Sequence, residues 1–189
     1  AVSAGEALDP LLHYRAGQLL RQFHESAPAN RSIDVLPELA SGLSLAIDQA
    51  EDDLGQVATA EARDLGMRVL DIGEVLLQPR HGSVRPEHWL HDADYGLQLI
   101  SFSTSEYDPW ILDAYDLSRH LWRYSSELRG AFFAGYDREP DEAEQTILAA
   151  YTAKRALEGW LQVSRYPATK KARKDAWAEV EAVLGSTLF

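Results

Sequence analysis

The chain has 189 residues, long enough for one domain with a substantial core. Apolar content of 46% and charged content of 25% are those of a folded globular protein and exclude disorder as the reading of the whole. A net charge of −12 makes nucleic acid and membrane surfaces poor partners, and the lack of Cys excludes disulfides, thiol nucleophiles and cysteine–zinc sites.

Asp9-Pro10 is a helix start, with the carboxylate accepting free N–H groups and Pro at the first turn. A helix over about 10–25 follows, with Leu12, Ala16, Leu19, Leu20 and Phe23 on one face and His24 as a helix-terminal or packing His. Apolar spacing predicts a second helix over about 35–54 and a third over about 59–77, ending before Gln78-Pro79. Two short strands, about 89–91 and 97–102, form a hairpin whose turn is Asp92-Ala93-Asp94-Tyr95-Gly96. Asp108-Pro109 then starts a helix to about Tyr124, with a short helix over about 127–134 behind it. Long amphipathic helices over about 142–163 and 169–184 complete the chain, with Asp141 capping the first of them.

No apolar run approaches the ~20 residues of a membrane span, and no basic-then-apolar leader opens the sequence, so the expectation is a cytoplasmic protein. Arg165, Lys170, Lys171, Arg173 and Lys174 form one local basic cluster, read either as a solvated helix face or as a surface for an acidic partner.

The chemistry concentrates at Arg80-His81-Gly82-Ser83-Val84-Arg85-Pro86-Glu87-His88-Trp89-Leu90, where His, Gly and Pro interrupt helical patterning ahead of the hairpin. His81-Gly82, Pro86 and Trp89-Leu90 frame what resembles the catalytic loop of the aminoglycoside phosphotransferase-like kinases. Leu97-Gln98-Leu99-Ile100-Ser101-Phe102-Ser103 is similar to that family's second metal-binding segment, Ala16-Gly17 through His24 to its Gly-x-x-Leu-x-x-Leu-His helix, and Phe133-Ala134-Gly135-Tyr136 to its late Gly-Tyr signal. Asp116-Leu117 matches an Asp-Leu pair of the same family. The resemblance implies a mainly α fold: the helical C-terminal lobe of the protein-kinase-like, aminoglycoside phosphotransferase fold, with one small β-hairpin. It also implies a single domain over 1–189. No Gly-rich phosphate loop and no strand-borne Lys with a helix Glu precedes the first helix, so the N-terminal lobe is expected to be absent from this sequence.

The family's catalytic Asp stands as Ser83, its metal-binding Asn as His88 and its second metal-binding Asp as Ser101. Phosphoryl transfer relies on positioning and metal-borne charge, and these replacements remove the groups that supply both. The degenerate positions His81, Ser83, His88 and Ser101 therefore imply a non-catalytic, pseudokinase-like protein with no ATP or magnesium requirement and no resident metal. It would bind a partner protein, peptide or small molecule through a kinase-type groove. Arg85, Glu87, Trp89, Phe102, Tyr107 and Trp110 are the candidate contacts, the aromatics serving either as interface anchors or as core beneath the hairpin.

The competing reading is an active small-molecule or peptide phosphotransferase subunit, for example in natural-product biosynthesis. It would use Glu87, Asp92, Asp94 or Glu106 for magnesium and take the missing lobe from another chain. Two further readings are set aside. His81, His88 and His91 match no standard zinc spacing, and Ser83 lacks the Gly-x-Ser-x-Gly elbow of a hydrolytic nucleophile.

Overall fold

Asp9 caps the first helix as its sequence dictates, its Oδ1 accepting the Leu11 N–H at 2.8 Å, and helix α1 runs Pro10–His24. This is seen in a computed structural model, which describes residues 2–3, 5–92, 94 and 96–185. Ala93 and Tyr95 of the expected hairpin turn lie outside the described residues.

Two compact units make up the chain, one of Ala1–Arg31 with Leu76–Asp141 and one of Ser32–Val75 with Glu142–Phe189. In the first, α1 packs on a later helix, Ser126–Tyr136, which closes on the buried Leu128, Phe132, Phe133 and Tyr136. Gly17 and Gly135 set that approach: a Cβ on Gly17 would lie 2.2 Å from the Phe132 carbonyl oxygen, and one on Gly135 1.9 Å from that of Tyr14. Leu12, Ala16 and Leu20 fill the seam from the α1 side, each apolar side chain contributing about 1.5–3 kcal/mol by leaving water, less for Ala.

Short strands hold the first unit's loops. Strand β1, Asn30–Ser32, lies beside β2, Val75–Arg80, and β2 pairs antiparallel with a strand at Glu106–Pro109. The hairpin forms where the alternation places it, β3 at Trp89–Asp92 against β4 at Gly96–Leu99, with Trp89 opposite Leu99. The Glu106–Pro109 strand is β5, followed by a 3-10 turn at Trp110–Ala114 and a short α-helix at Tyr115–His120.

The second unit is helical. Its first helix spans Val35–Asp71 and is interrupted at Gly55, whose φ of 73° and ψ of 166° lie outside helical values. It packs on the helix Glu142–Arg165, which in turn packs on Lys170–Leu184. Numbered in chain order, these six α-helices are α1 (Pro10–His24), α2 (Val35–Asp71), α3 (Tyr115–His120), α4 (Ser126–Tyr136), α5 (Glu142–Arg165) and α6 (Lys170–Leu184). Trp160 of α5 meets Trp177 of α6 edge-on at 5.0 Å.

Two expected helices are corrected. The one drawn to about Leu77 stops at Asp71, because Gly73 takes φ +77° just past the helix end, a left-handed stop that Gly adopts without steric cost. Leu76 and Leu77 belong to β2 instead. The helix drawn from Asp108 starts only at Tyr115, because the Asp108 side chain takes the Arg80 guanidinium at 2.6 Å and its backbone pairs in β5. Among the described residues no helix is long and apolar enough to cross a membrane.

Candidate functional site

β2 delivers the chain into the loop at Arg80, and β3 carries it away at Trp89, so residues 81–88 are presented between two strands. Gly82 sits at φ +88°, and a Cβ there would lie 2.4 Å from the Thr104 carbonyl oxygen, so both conformation and crowding call for Gly.

The loop is fastened from behind by two carboxylates. Asp113, from the 3-10 turn, accepts the backbone N–H of His81 on Oδ2 and that of Gly82 on Oδ1, both at 2.7 Å. Its Oδ2 also accepts the His24 Nε2–H at 2.9 Å, while His24 Nδ1 lies 2.8 Å from the Tyr136 hydroxyl. Arg80 Nε stands 3.7 Å from Asp113, and its Nη1 bonds Asp108, so a buried cation faces the buried acids. Burial pushes the Asp108 carboxyl above its ordinary range, with Arg80 pulling the other way. Asp116, on α3, accepts the Ser83 hydroxyl at 3.4 Å and pairs with Arg85 Nε at 3.0 Å.

Contacts of His81 and His88 organise the front. His81 is fully buried against Phe102, ring centroids 4.3 Å apart, and its Nδ1 accepts the Ser83 N–H at 3.3 Å. Desolvation lowers the His81 pKa, with Asp113 and the Ile100 backbone opposing it. His88 donates Nδ1–H to the Ser83 carbonyl at 2.8 Å and stacks on His81 at 6.5 Å. The Ile100 N–H donates to the His88 carbonyl at 3.0 Å, which brings the residue before Ser101 alongside the loop. Ser101 itself holds φ +71°, a left-handed conformation uncommon outside Gly.

The hairpin thus sets Ile100, the residue before Ser101, against the His88 backbone, and the His88 ring against the Ser83 carbonyl. Of the candidate contacts, Arg85 and Glu87 are exposed, and Phe102 and Tyr107 are 41% and 45% exposed. Trp89 and Trp110 are core side chains at 0% and 3% exposure, Trp110 stacking on Tyr136 at 4.3 Å. They support the surface from beneath and do not reach it.

His91 turns away to Glu6 at 3.7 Å, so it does not join His81 and His88, and among the described residues no three His, Asp or Glu side chains are placed to hold a metal. Glu106 lies 3.4 Å from Arg80, and Asp92 accepts the Asp94 N–H across the turn. Sequence reasoning missed Asp113. Its signal was a lone carboxylate inside the otherwise apolar run Trp110-Ile111-Leu112-Asp113-Ala114, where an unpaired charge would be prohibitive.

Fold and loop together define a mainly helical, kinase-like architecture of the aminoglycoside phosphotransferase type. An aminoglycoside phosphotransferase from Alicyclobacillus acidocaldarius is similar at 17% identity and a TM-score of 0.58, over 94% of this chain and 63% of that one. Spectinomycin phosphotransferase APH(9)-Ia, solved with ADP and spectinomycin, is similar at 14% identity and a TM-score of 0.55, over 94% of this chain and 64% of that one. This chain therefore spans less than two thirds of the length of either structure. No family model and no curated protein matches the chain.

Proposed function

We propose that this chain is a non-catalytic, pseudokinase-like protein that binds a partner protein, peptide or small molecule through its kinase-type loop and hairpin. The observation that carries the reading is the use of the loop's polar groups. Ser83 donates its hydroxyl to Asp116, His88 donates Nδ1–H to the Ser83 carbonyl, and Asp113 and Asp116 are both engaged in holding the loop. A hydroxyl and an imidazole directed at the protein itself offer neither the negative charge that orients an attacking hydroxyl nor the hard oxygen ligands that magnesium requires.

Scaffold retention supports a binding role. Ser101 keeps a costly left-handed backbone at the position where the family presents a metal ligand, and such strain persists where surrounding structure enforces it. Exposed Arg85 and Glu87 in the loop, with half-exposed Phe102 just after the hairpin and Tyr107 on β5, supply polar and aromatic side chains suited to a protein or peptide.

Thermal denaturation with and without ATP and magnesium tests the proposal, since a ligand bound to the folded state alone raises the midpoint. The expected result is no shift and no transfer of labelled phosphate to the chain or to aminocyclitol and aminoglycoside acceptors. A magnesium-dependent shift accompanied by transfer would overturn it in favour of an active subunit.

A further inference from the structure

Residues 165–174 carry five cations, Arg165, Lys170, Lys171, Arg173 and Lys174, and no carboxylate. They include three of the chain's four lysines, and setting their five charges aside from the net of −12 leaves −17 on the remainder. Elsewhere many of the cations are used in pairs: Arg21 with Glu25 and Asp137, Arg63 with Asp48 and Glu51, Arg85 with Asp116, Lys154 with Glu158. In this stretch the bonds are of another kind. Arg165 donates to the Gln49 side-chain carbonyl at 2.9 Å and Arg173 Nε to the Val163 carbonyl at 3.3 Å, both uncharged acceptors. Lys170, Lys171 and Lys174 are exposed and form no ion pair among the described residues.

The local cost of this arrangement is physical. Three of the five cations, Lys170, Lys171 and Arg173, occupy the first turn of α6, at the positive end of the helix dipole, with no acid there to offset them, and Lys174 follows directly. Helix initiation does not depend on them, because Thr169 caps α6 by accepting the Ala172 N–H at 3.1 Å. Asp175 is the next acid along α6, and among the described residues it forms no ion pair with these cations.

We propose that residues 165–174 are a docking surface for a short acidic peptide segment of a partner protein. Charge complementarity selects an acid. The −17 on the remainder selects a short one, since a long polyanion or an anionic bilayer would also meet that repulsive field. Screening over roughly 8 Å at physiological salt lets a segment of a few residues feel the patch alone. Tyr166, 67% exposed within the cluster, adds an aromatic face beside the lysines. The surface belongs to the second unit and uses no residue of the 81–88 loop, so it stands whether or not that loop is catalytic.

The test is fluorescence anisotropy of a labelled hexaglutamate peptide titrated with the full chain at about 50 mM and about 300 mM NaCl. Binding is expected at low salt, weakened at least roughly tenfold at high salt and at least roughly tenfold by K170E/K171E/K174E. The same triple variant should melt at a higher temperature than the parent, because Glu complements the helix end where Lys opposes it. Should the triple variant lose its helical circular dichroism, K171E carries the test and should weaken binding about threefold. No binding at low salt, equal binding by the charge-reversed variant, or tighter binding of an oligothymidylate or of phosphatidylserine vesicles would overturn the proposal.

Discussion

The carboxylate of Asp113 and the backbone N–H of Gly82 are 2.7 Å apart, and through this bond the 3-10 turn after β5 fixes the start of the loop after β2. Because Asp113 also holds the His81 N–H and the His24 imidazole, one fully buried side chain satisfies three donors from two parts of the chain. Replacing Asp113 with Ala leaves those three donors without their acceptor and removes the negative charge 3.7 Å from Arg80 Nε, a change that costs about 3–5 kcal/mol in buried ionic networks. Asp113→Asn, which keeps one acceptor oxygen, should cost about half that. Urea denaturation measures both, and a loss below about 0.5 kcal/mol for the Ala variant would refute the hub role.

Glycines give a sharper contrast. Gly17→Ala and Gly135→Ala each drive a methyl into backbone atoms of the opposing helix, at 2.2 Å and 1.9 Å, where no side-chain rotation gives relief. Each should lower stability by about 3 kcal/mol or more, as overpacking does when the backbone must move. Gly130→Ala, in the same α4 but with nothing within 4 Å of the new methyl, should instead raise stability by about 0.5–1 kcal/mol through helix propensity. Paired melts of the Gly130 and Gly135 variants separate close packing from composition. Equal effects would show that the helix seam is looser than described.

Much of this was legible in the sequence where the signals are local. Asp9-Pro10 gave a cap and a first turn, the alternation around Asp92 gave the hairpin, and Gly17 and Gly135 were identified within the motifs that turned out to face each other. The signals failed where pairing is long-range. β2 and β5 join Arg80 to Glu106 and carry Pro79 and Pro109, residues that argue against a strand when read alone. Asp108-Pro109 looked like a helix cap because nothing nearby in sequence announces Arg80 as the partner of Asp108. The candidate site was legible as a loop, whereas the depth of Trp89 and Trp110 was not, since aromatic residues near a hairpin read equally as anchor or as core.

The two aromatic depths predict two responses. Trp110→Ala removes a ring stacked on Tyr136 at 4.3 Å and should cost about 3–5 kcal/mol. Tyr107→Ser, at a ring 45% exposed on β5, should change stability by about 0.5 kcal/mol or less. If the loop and hairpin bind a partner, Tyr107→Ser should reduce capture of that partner while leaving the melt unchanged. A stability loss as large as that of the Trp110 variant would place Tyr107 in the core.

His13 and His81 make stability depend on pH in a window set by their direction of shift. Both are fully buried, and desolvation is the first cause holding each pKa below the model-peptide value of about 6.5. The hydrogen bonds agree for His13: Nε2–H donates to the Ala7 carbonyl at 3.0 Å, and Nδ1 faces the Trp122 indole N–H at 3.4 Å, so a second ring proton would set two donors against each other. A base with a depressed folded pKa takes up protons more readily when unfolded. Its contribution is therefore complete above about pH 7.5 and is lost as pH falls through about 6.5 toward the folded value. Asp108, raised by burial, acts with the opposite sign, its contribution lost as pH rises from the unfolded value near 3.8 toward the higher folded one, so it opposes the histidine slope. The melting temperature should fall as pH drops from about 7.5 to about 5.5. His13→Gln retains an amide donor and acceptor without a titrating proton, so it should flatten that slope even while lowering the plateau. A parent chain whose midpoint is constant across the window, or a His13→Gln variant with an unchanged slope, would show that His13 is not the group being titrated.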